Sequence, residues 1–220
     1  MRHGQSIWNA KNIFTGWVDV PLSAKGIDEA VEGGKSISEF EIDEAHTSTL
    51  IRAQMTTMLA LSSQITDKSP VIQRDLASSN MNNSWYDIHG DEGKEGILPV
   101  YISAKLNERM YGDLQGHNTQ KMRDLHGDEQ VKIWRRSFDI PPPGGESLKD
   151  TAERTIPYFE HEILPSLKQG KNVLVSAHGN SLRSIVMHIE NLSQIQVLNL
   201  EIPTGVPILY KWTEDGMEKI

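Results

Sequence analysis

The chain has no cysteine in 220 residues. That excludes disulfides, thiol catalysis and Cys-ligated metals, and it is compatible with the cytosol without proving it. No apolar run approaches membrane-spanning length, and no signal-peptide core is present. A surplus of positive charge is missing too. Lysine and arginine number 22 against 30 acidic residues, for a net charge of −8 and a pI near 5.5. This argues against nucleic acid or an anionic membrane as the main partner. No His-Glu-x-x-His or similar ligand spacing occurs, so no metal site is expected. There is no internal repeat and no low-complexity tract.

What remains is an ordinary globular composition, 37% hydrophobic and 24% charged, long enough for one buried core. Helical and strand patterns alternate, which predicts an α/β fold. Residues 23–40 read as a helix with Ile27, Ala30, Gly34 and Ile37 inward. A strand over 44–48, a helix over 50–64 and a short strand over 71–74 follow. Residues 78–96 are rich in Ser, Asn, Asp and Gly and read as a long surface loop. Residues 120–138 are helical with a break near Gly127. After the 141–145 turn, a helix from Ser147 buries Leu148, Ala152, Ile156, Phe159, Ile163 and Leu167, with Pro157 and Pro165 bending or ending it. The 172–177 run reads as a buried strand that delivers His178. A helix over 181–190 and a last strand over 207–212 complete the chain. We expect one domain over 1–220, with an excursion over 73–144 above the site.

Two clusters carry the chemistry. Arg2-His3-Gly4-Gln5-Ser6 opens the chain, and His178-Gly179-Asn180-Ser181-Leu182-Arg183 stands where a strand turns into a helix. A histidine followed by free helix N–H groups suits an anion. Two imidazoles at one strand-end crevice suit phosphoryl transfer, one attacking and the other holding. A nucleophilic His must be neutral, and Arg2 beside it favours that form. Arg52, Arg109, Tyr111, Arg135 and Arg136 are the candidate anion ligands, since guanidinium forks bind phosphate bidentately. Glu108 is the best-placed carboxylate for moving a proton. Arg123, Arg154 and Arg183 read as surface charges, and Arg74 is undecided. Glu146 reads as a helix-start acid. His46, His89, His117, His126, His161 and His188 read as structural or solvated. Only Met1 and Arg2 precede His3, so we expect a strand-forming stretch to be missing there.

With these residues in view, the sequence resembles the cofactor-dependent phosphoglycerate mutases of the histidine phosphatase superfamily, nearly end to end. Arg2–Asn9 matches that family's opening motif and Phe14–Asp19 its substrate-loop motif. Leu106–Gly112, Trp134–Phe138, His178–Arg183 and Ile202–Gly205 match four more. The resemblance implies a three-layer fold, a mostly parallel sheet flanked by helices, with its first strand truncated. It implies interconversion of 3- and 2-phosphoglycerate in glycolysis and gluconeogenesis, with 2,3-bisphosphoglycerate as primer and no metal. His3 would carry phosphate, His178 would stabilise the transferring group, and Glu108 would move the proton. Arg2, Asn9, Arg52, His178 and Gly179 would surround that group. Thr15, Gly16, Arg109, Tyr111, Arg135, Arg136 and Asn180 would hold the rest. Partners would be small phosphoglycerates, with no nucleic acid and no membrane. The resemblance implies a cytoplasmic setting and is compatible with a homodimer or homotetramer. One departure stands out: Thr119 occupies a position where relatives usually carry lysine, with Lys121 two places on. A phosphatase on the same fold and a catalytically dead interaction module are the alternatives.

Because arginines take the role a metal would fill, exhaustive chelation is expected to leave turnover unchanged. Loss of activity restored by one divalent ion would point to a different class of enzyme.

Overall fold

The computed structural model describes residues 1–73, 88 and 90–220. Four parallel strands form a sheet: β1 Glu44–Thr47, β2 Ser69–Gln73, β3 Ile97–Ile102 and β4 Val173–Ser176, in the order β2-β3-β1-β4. An antiparallel hairpin, β5 Tyr210–Thr213 and β6 Gly216–Lys219, lies apart from it. The helices are α1 Ala24–Lys35, α2 Ile51–Leu61, α3 Asp91–Lys94, α4 Thr119–His126, α5 Asp128–Arg136, α6 Leu148–Tyr158, α7 Leu164–Lys168, α8 Gly179–Glu190 and α9 Gln194–Asn199. No helix among the described residues is long and apolar enough to cross a membrane.

Strand alternation sorts the side chains into two layers. Ala45 and Leu174 pack with Ile37, Ile42, Ala60 and Leu61 on the α1–α2 side. Val173 and Val175 pack with Phe159, Ile163, Leu182, Ile185 and Val186 on the α6–α8 side. This is the expected α/β sheet with helices on both faces. A third, smaller core joins Phe14, Leu114, Met122 and Val131 beneath α4 and α5.

Local chemistry sets the boundaries. Ser23 caps α1 by accepting from Gly26 N, and Ser147 with Asp150 forms a capping box at α6. Gly127, at φ +84°, separates α4 from α5 as expected. Pro157 does not end its helix. The run passes through a π-helical turn, Phe159–Ile163, and Pro165 then sits in the first turn of α7, where its missing N–H costs little.

Several expectations need correction. The α1 helix stops at Lys35, and its buried face is Gly26, Ala30, Gly33 and Gly34; Ile27 is 38% exposed. The β3 strand went unread because Pro99 interrupts an otherwise apolar run. That proline stands one residue before the first β1 pair, Ala45–Val100. The 73–144 stretch is therefore not all excursion, since β3 runs through the middle of the sheet. Within 78–96, a short helix at Asp91–Lys94 replaces part of the predicted loop, and the other residues of that stretch lie largely outside the described ones, as does Arg74. The last strand is one arm of a hairpin, and β6 was not anticipated.

Met1–His3 lie alongside the end of β4. Met1's amino group donates to Val175 O at 2.7 Å, and burial pushes its pKa down to about 5. Ala177 N donates to Met1 O at 3.2 Å and His3 N to Ala177 O at 2.9 Å. On the other side Gly205 N donates to Arg2 O at 3.0 Å. These bonds seat His3 at the end of β4.

Gly4 and Gly26 meet backbone to backbone. A β-carbon at Gly26 would collide with the main chain of Gln5, and one at Gly4 with the main chain of Gly26. Gly26→Ala should raise helix propensity by about 1 kcal/mol, yet overpacking of this kind costs about 1–3 kcal/mol. We expect net destabilisation in urea titrations; a more stable variant would show that the contact is loose.

Candidate active site

One cavity, of about 630 Å³, is apolar and lies between β4, α8 and the hairpin. None of the candidate catalytic groups lines it. A second, of about 350 Å³, is lined by Arg2, His3, Asn9, Thr15, Gly16, Arg52, Glu108, Tyr111, Thr119, Arg123 and Arg135, among others. It lies at the carboxyl ends of parallel strands, where α/β sheets bind ligands. Glu108 is the one carboxylate among its lining residues.

Both histidines are buried, with ring centroids 4.8 Å apart. His3 Nδ1 lies 2.6 Å from Gly4 O. A carbonyl only accepts, so Nδ1 carries the proton and Nε2 is bare. His178 caps α8, which begins two residues earlier than predicted, at Gly179. Its Nε2 lies 2.7 Å from Ser48 Oγ, while Nδ1 is buried without a partner among the described residues. Burial, reinforced by the charges of Arg52 and Arg2, holds both imidazoles well below their ordinary pKa. His178 is also lowered by His3.

Glu108 is buried as well, and burial alone would raise its pKa. Its Oε1 accepts from Arg109 N at 2.8 Å, Asn180 N at 3.1 Å and Asn180 Nδ2 at 3.0 Å. Those donors, with Arg2 and Arg52 nearby, win, and the pKa is lowered. The carboxylate stays ionised near neutrality. Its backbone carbonyl is gripped from behind by Trp17 Nε1 at 2.6 Å and Arg154 Nη2 at 2.9 Å. Gly179 leaves space between Glu108 and Arg2; a β-carbon there would touch Glu108 Oε2 at 3.7 Å and Arg2 Nε at 3.8 Å.

The arginines are held mainly by carbonyls. Arg2 Nη1 donates to Ile202 O at 3.0 Å and Arg52 Nη2 to Gly16 O at 2.7 Å. Burial pushes Arg52 down to about 10, still charged at neutral pH. Arg109 backs the wall, donating to Tyr111 Oη at 3.2 Å and Arg135 O at 3.0 Å. Burial would raise the Tyr111 phenol, but the Arg109 charge brings it below its ordinary value. Asn9 Oδ1 accepts from Ser6 N at 3.0 Å, which leaves its amide nitrogen as a donor.

The sequence-predicted residues thus meet, with two qualifications. His178, Arg109, Gly179 and Asn180 are not among the lining residues, His178 standing behind His3 with the rings 4.8 Å apart. Arg136 turns away, donating to Glu201 Oε1 at 2.8 Å and Leu198 O at 3.3 Å. Neighbours in sequence on a helix point about 100° apart, so Arg135 and Arg136 cannot share one face. Sequence reading missed Ser48, whose only signal was its place after β1. It also set aside Arg154, which pairs with Glu146 at 2.9 Å and braces the 105–110 loop. Glu146 accepts from Met110 N at 3.0 Å rather than serving a helix start. Arg123 was dismissed as surface charge although it shares a helix face with Thr119. Lys121 does not line the cavity. His89 lies outside the described residues, and none of His46, His117, His126, His161 and His188 lines the cavity.

A family model for the histidine phosphatase superfamily (branch 1) matches residues 1–89 and 87–219. The chain belongs to that superfamily. Two similar relatives are each named 2,3-bisphosphoglycerate-dependent phosphoglycerate mutase. The one from Protochlamydia amoebophila is 54% identical over 98% of this chain and 94% of its own length. The one from Chlamydia trachomatis serovar L2b is 53% identical over 100% of this chain and 95% of its own length. Among solved structures, Bacillus stearothermophilus YhfR superposes with a TM-score of 0.75 at 19% identity, covering 99% of this chain and 92% of its own. The alpha-ribazole phosphatase from Shigella flexneri gives 0.71 at 18% identity, covering 100% and 92%. At that identity they show that the superfamily fold is shared.

Both site imidazoles are neutral in the fold, with folded pKa values below the unfolded value of about 6.5. Groups lowered on folding contribute stability above the unfolded pKa and lose it as pH falls. Unfolding free energy in phosphate-free buffer should therefore drop as pH goes from 7.5 toward 5.5. A flat or rising profile across that window would contradict the neutral assignment.

Proposed function

We propose that this chain is a 2,3-bisphosphoglycerate-dependent phosphoglycerate mutase, exchanging 3- and 2-phosphoglycerate through phosphohistidine at His3. The full-length likeness to mutases at 54% and 53% identity supports the reaction. The observation that carries the site assignment is the bare Nε2 of a buried, neutral His3, with its ring 4.8 Å from that of His178 and with Glu108 on the same cavity wall.

Two buried donors fit a phosphoryl group. Arg2 Nε and His178 Nδ1 have no partner among the described residues, and a buried polar atom left unpaired is costly. Arg2, Asn9, Arg52, His178 and the N–H of Gly179 would surround the transferred group. Thr15, Gly16, Tyr111 and Arg135 would contact the rest, with Arg109 and Asn180 holding Tyr111 and Glu108 in place. We leave Arg136 out of the set because Glu201 engages it. 2,3-Bisphosphoglycerate supplies the phosphoryl group that first charges His3.

The chain's own groups then act in two mirrored halves. A substrate hydroxyl attacks the phosphorus on His3 as its proton passes to Glu108; the N–P bond breaks and its electron pair returns to Nε2. In the second half Nε2 attacks the other phosphoryl group of the bound, doubly phosphorylated glycerate. The O–P bond breaks, and Glu108 returns its proton to the leaving oxygen. Ser48, donating to His178 Nε2, leaves Nδ1 as an N–H for the equatorial oxygens. The Arg2 and Arg52 charges favour the transition state more than the ground state, since charge builds on those oxygens.

His3→Ala should abolish mutase turnover and remove acid-labile label taken from labelled 2,3-bisphosphoglycerate. His178→Ala should slow transfer by about 10²–10³-fold, the scale for loss of one preorganised donor. Substantial turnover by the His3 variant would sink the phosphohistidine mechanism. Release of inorganic phosphate without isomerisation would favour the phosphatase alternative.

A further inference from the structure

The far end of the cavity has an anion ligand that the motifs do not name. We propose that Arg123, on α4, binds the anionic end of the substrate remote from His3, in place of a lysine at position 119. The proposal rests on the mutase reading above.

Thr119 and Arg123 are four residues apart on α4, and both line the cavity; Lys121, between them, does not. The rotation of α4 is fixed because Met122 is buried with Phe14 and Val131. Helical side chains lean toward the helix N-terminus and cover the turn before their own Cα. By that rule Arg123 reaches the turn that carries Thr119 once it leaves Asp128. A guanidinium there reaches the space that a lysine at 119 would reach, with a fork suited to carboxylate or phosphate.

Nothing strong holds Arg123 elsewhere. Its Nε lies 3.6 Å from Asp128 Oδ1, and the two side chains are 40% and 87% exposed. Such a pair is screened by water and contributes little. Arg135 also lines the cavity, exposed, with its guanidinium over the Phe14 ring at 5.8 Å. Burial, then the charges of Arg136, Arg123 and Arg109, lowers the Arg135 pKa, with Tyr111 opposing. Arg123 and Arg135 line the same cavity, where like charges repel. Glu108, the cavity's single acid, is bonded to Arg109 N and Asn180 at the phosphoryl end. An anion lying between Arg123 and Arg135 relieves that repulsion.

The consequence concerns retention. Between the two half-reactions the doubly phosphorylated glycerate must stay bound while its ends exchange. A cation at the far wall holds it, and each escape leaves His3 uncharged and in need of primer.

The test is steady-state kinetics of Arg123→Ala against the wild type, with 3-phosphoglycerate varied at saturating 2,3-bisphosphoglycerate, and then with the primer varied. We expect KM to rise about ten-fold, the low end for one charge-assisted contact, with kcat little changed. The primer concentration for half-maximal activity should rise too. Thr119→Lys added to Arg123→Ala should restore KM, Arg123→Lys should retain part of the affinity, and Lys121→Ala should match the wild type. Asp128→Asn separates binding from an ion-pair role and should leave KM unchanged. An unchanged KM in Arg123→Ala, or an equal rise in Asp128→Asn, overturns the proposal. Absence of turnover in the wild type overturns the mutase reading instead. Calorimetric binding of 3-phosphoglycerate to wild type and Arg123→Ala then decides the role of Arg123: equal affinities refute it.

Discussion

Two guanidiniums, the half-buried Arg2 and the buried Arg52, act together with burial on the charge states around them. Burial first, then the charges of Arg52 and Arg2, keeps His3 and His178 neutral, and the Arg109 N–H with Arg2 and Arg52 overcomes burial so that Glu108 stays ionised. One environment thus holds a neutral imidazole and an ionised carboxylate together. Their own hydrogen bonds go to the main-chain carbonyls of Ile202, Val18 and Gly16. Carbonyl dipoles anchor a cation without cancelling its charge. This is how a chain of net charge −8 keeps a cavity whose wall carries four arginines, Arg2, Arg52, Arg123 and Arg135, against a single carboxylate.

Behind that wall stands a lattice of fixed contacts. Gln115 Oε1 accepts from Trp17 N at 2.8 Å, tying the 15–17 segment to the 111–115 turn. Arg154 bonds the carbonyls of Lys105 and Glu108 and pairs with Glu146, which in turn holds Met110 N. Glu108 is therefore fixed at both its carboxylate and its main chain. A proton-transfer group held in one pose loses less freedom at the moment of reaction.

The parts of the fold legible in the sequence were those with local causes. The 173–176 strand is a short, mostly apolar run, Ser147 marks a helix start, and Gly127 marks a break. The histidine clusters were legible because each couples a ring to a glycine at a strand end. What stayed hidden depends on tertiary partners. Pro99 masked β3, and only its offset from the β1 pairing makes it tolerable there. The inward face of α1 is written in glycines, which carry no hydrophobic signal, because close backbone approach matters there more than side-chain area. The direction of Arg136, the grip of Ser48 on His178 and the brace at Arg154 each depend on a residue distant in sequence. Arg123 was within reach of simple helical spacing and was passed over because its charge alone looked ordinary.

The pairing of Met1–His3 with the end of β4 joins groups such as the Met1 amino group and Val175, 174 positions apart. A contact of that range closes late, after loop entropy has been met by the rest of the fold. During synthesis His3 is made long before His178 and the strand that seats it. For most of that time the imidazole is an ordinary exposed side chain, with neither Arg52 nor Glu108 placed around it. The seating of His3 beside His178 therefore depends on contact between segments far apart in the sequence.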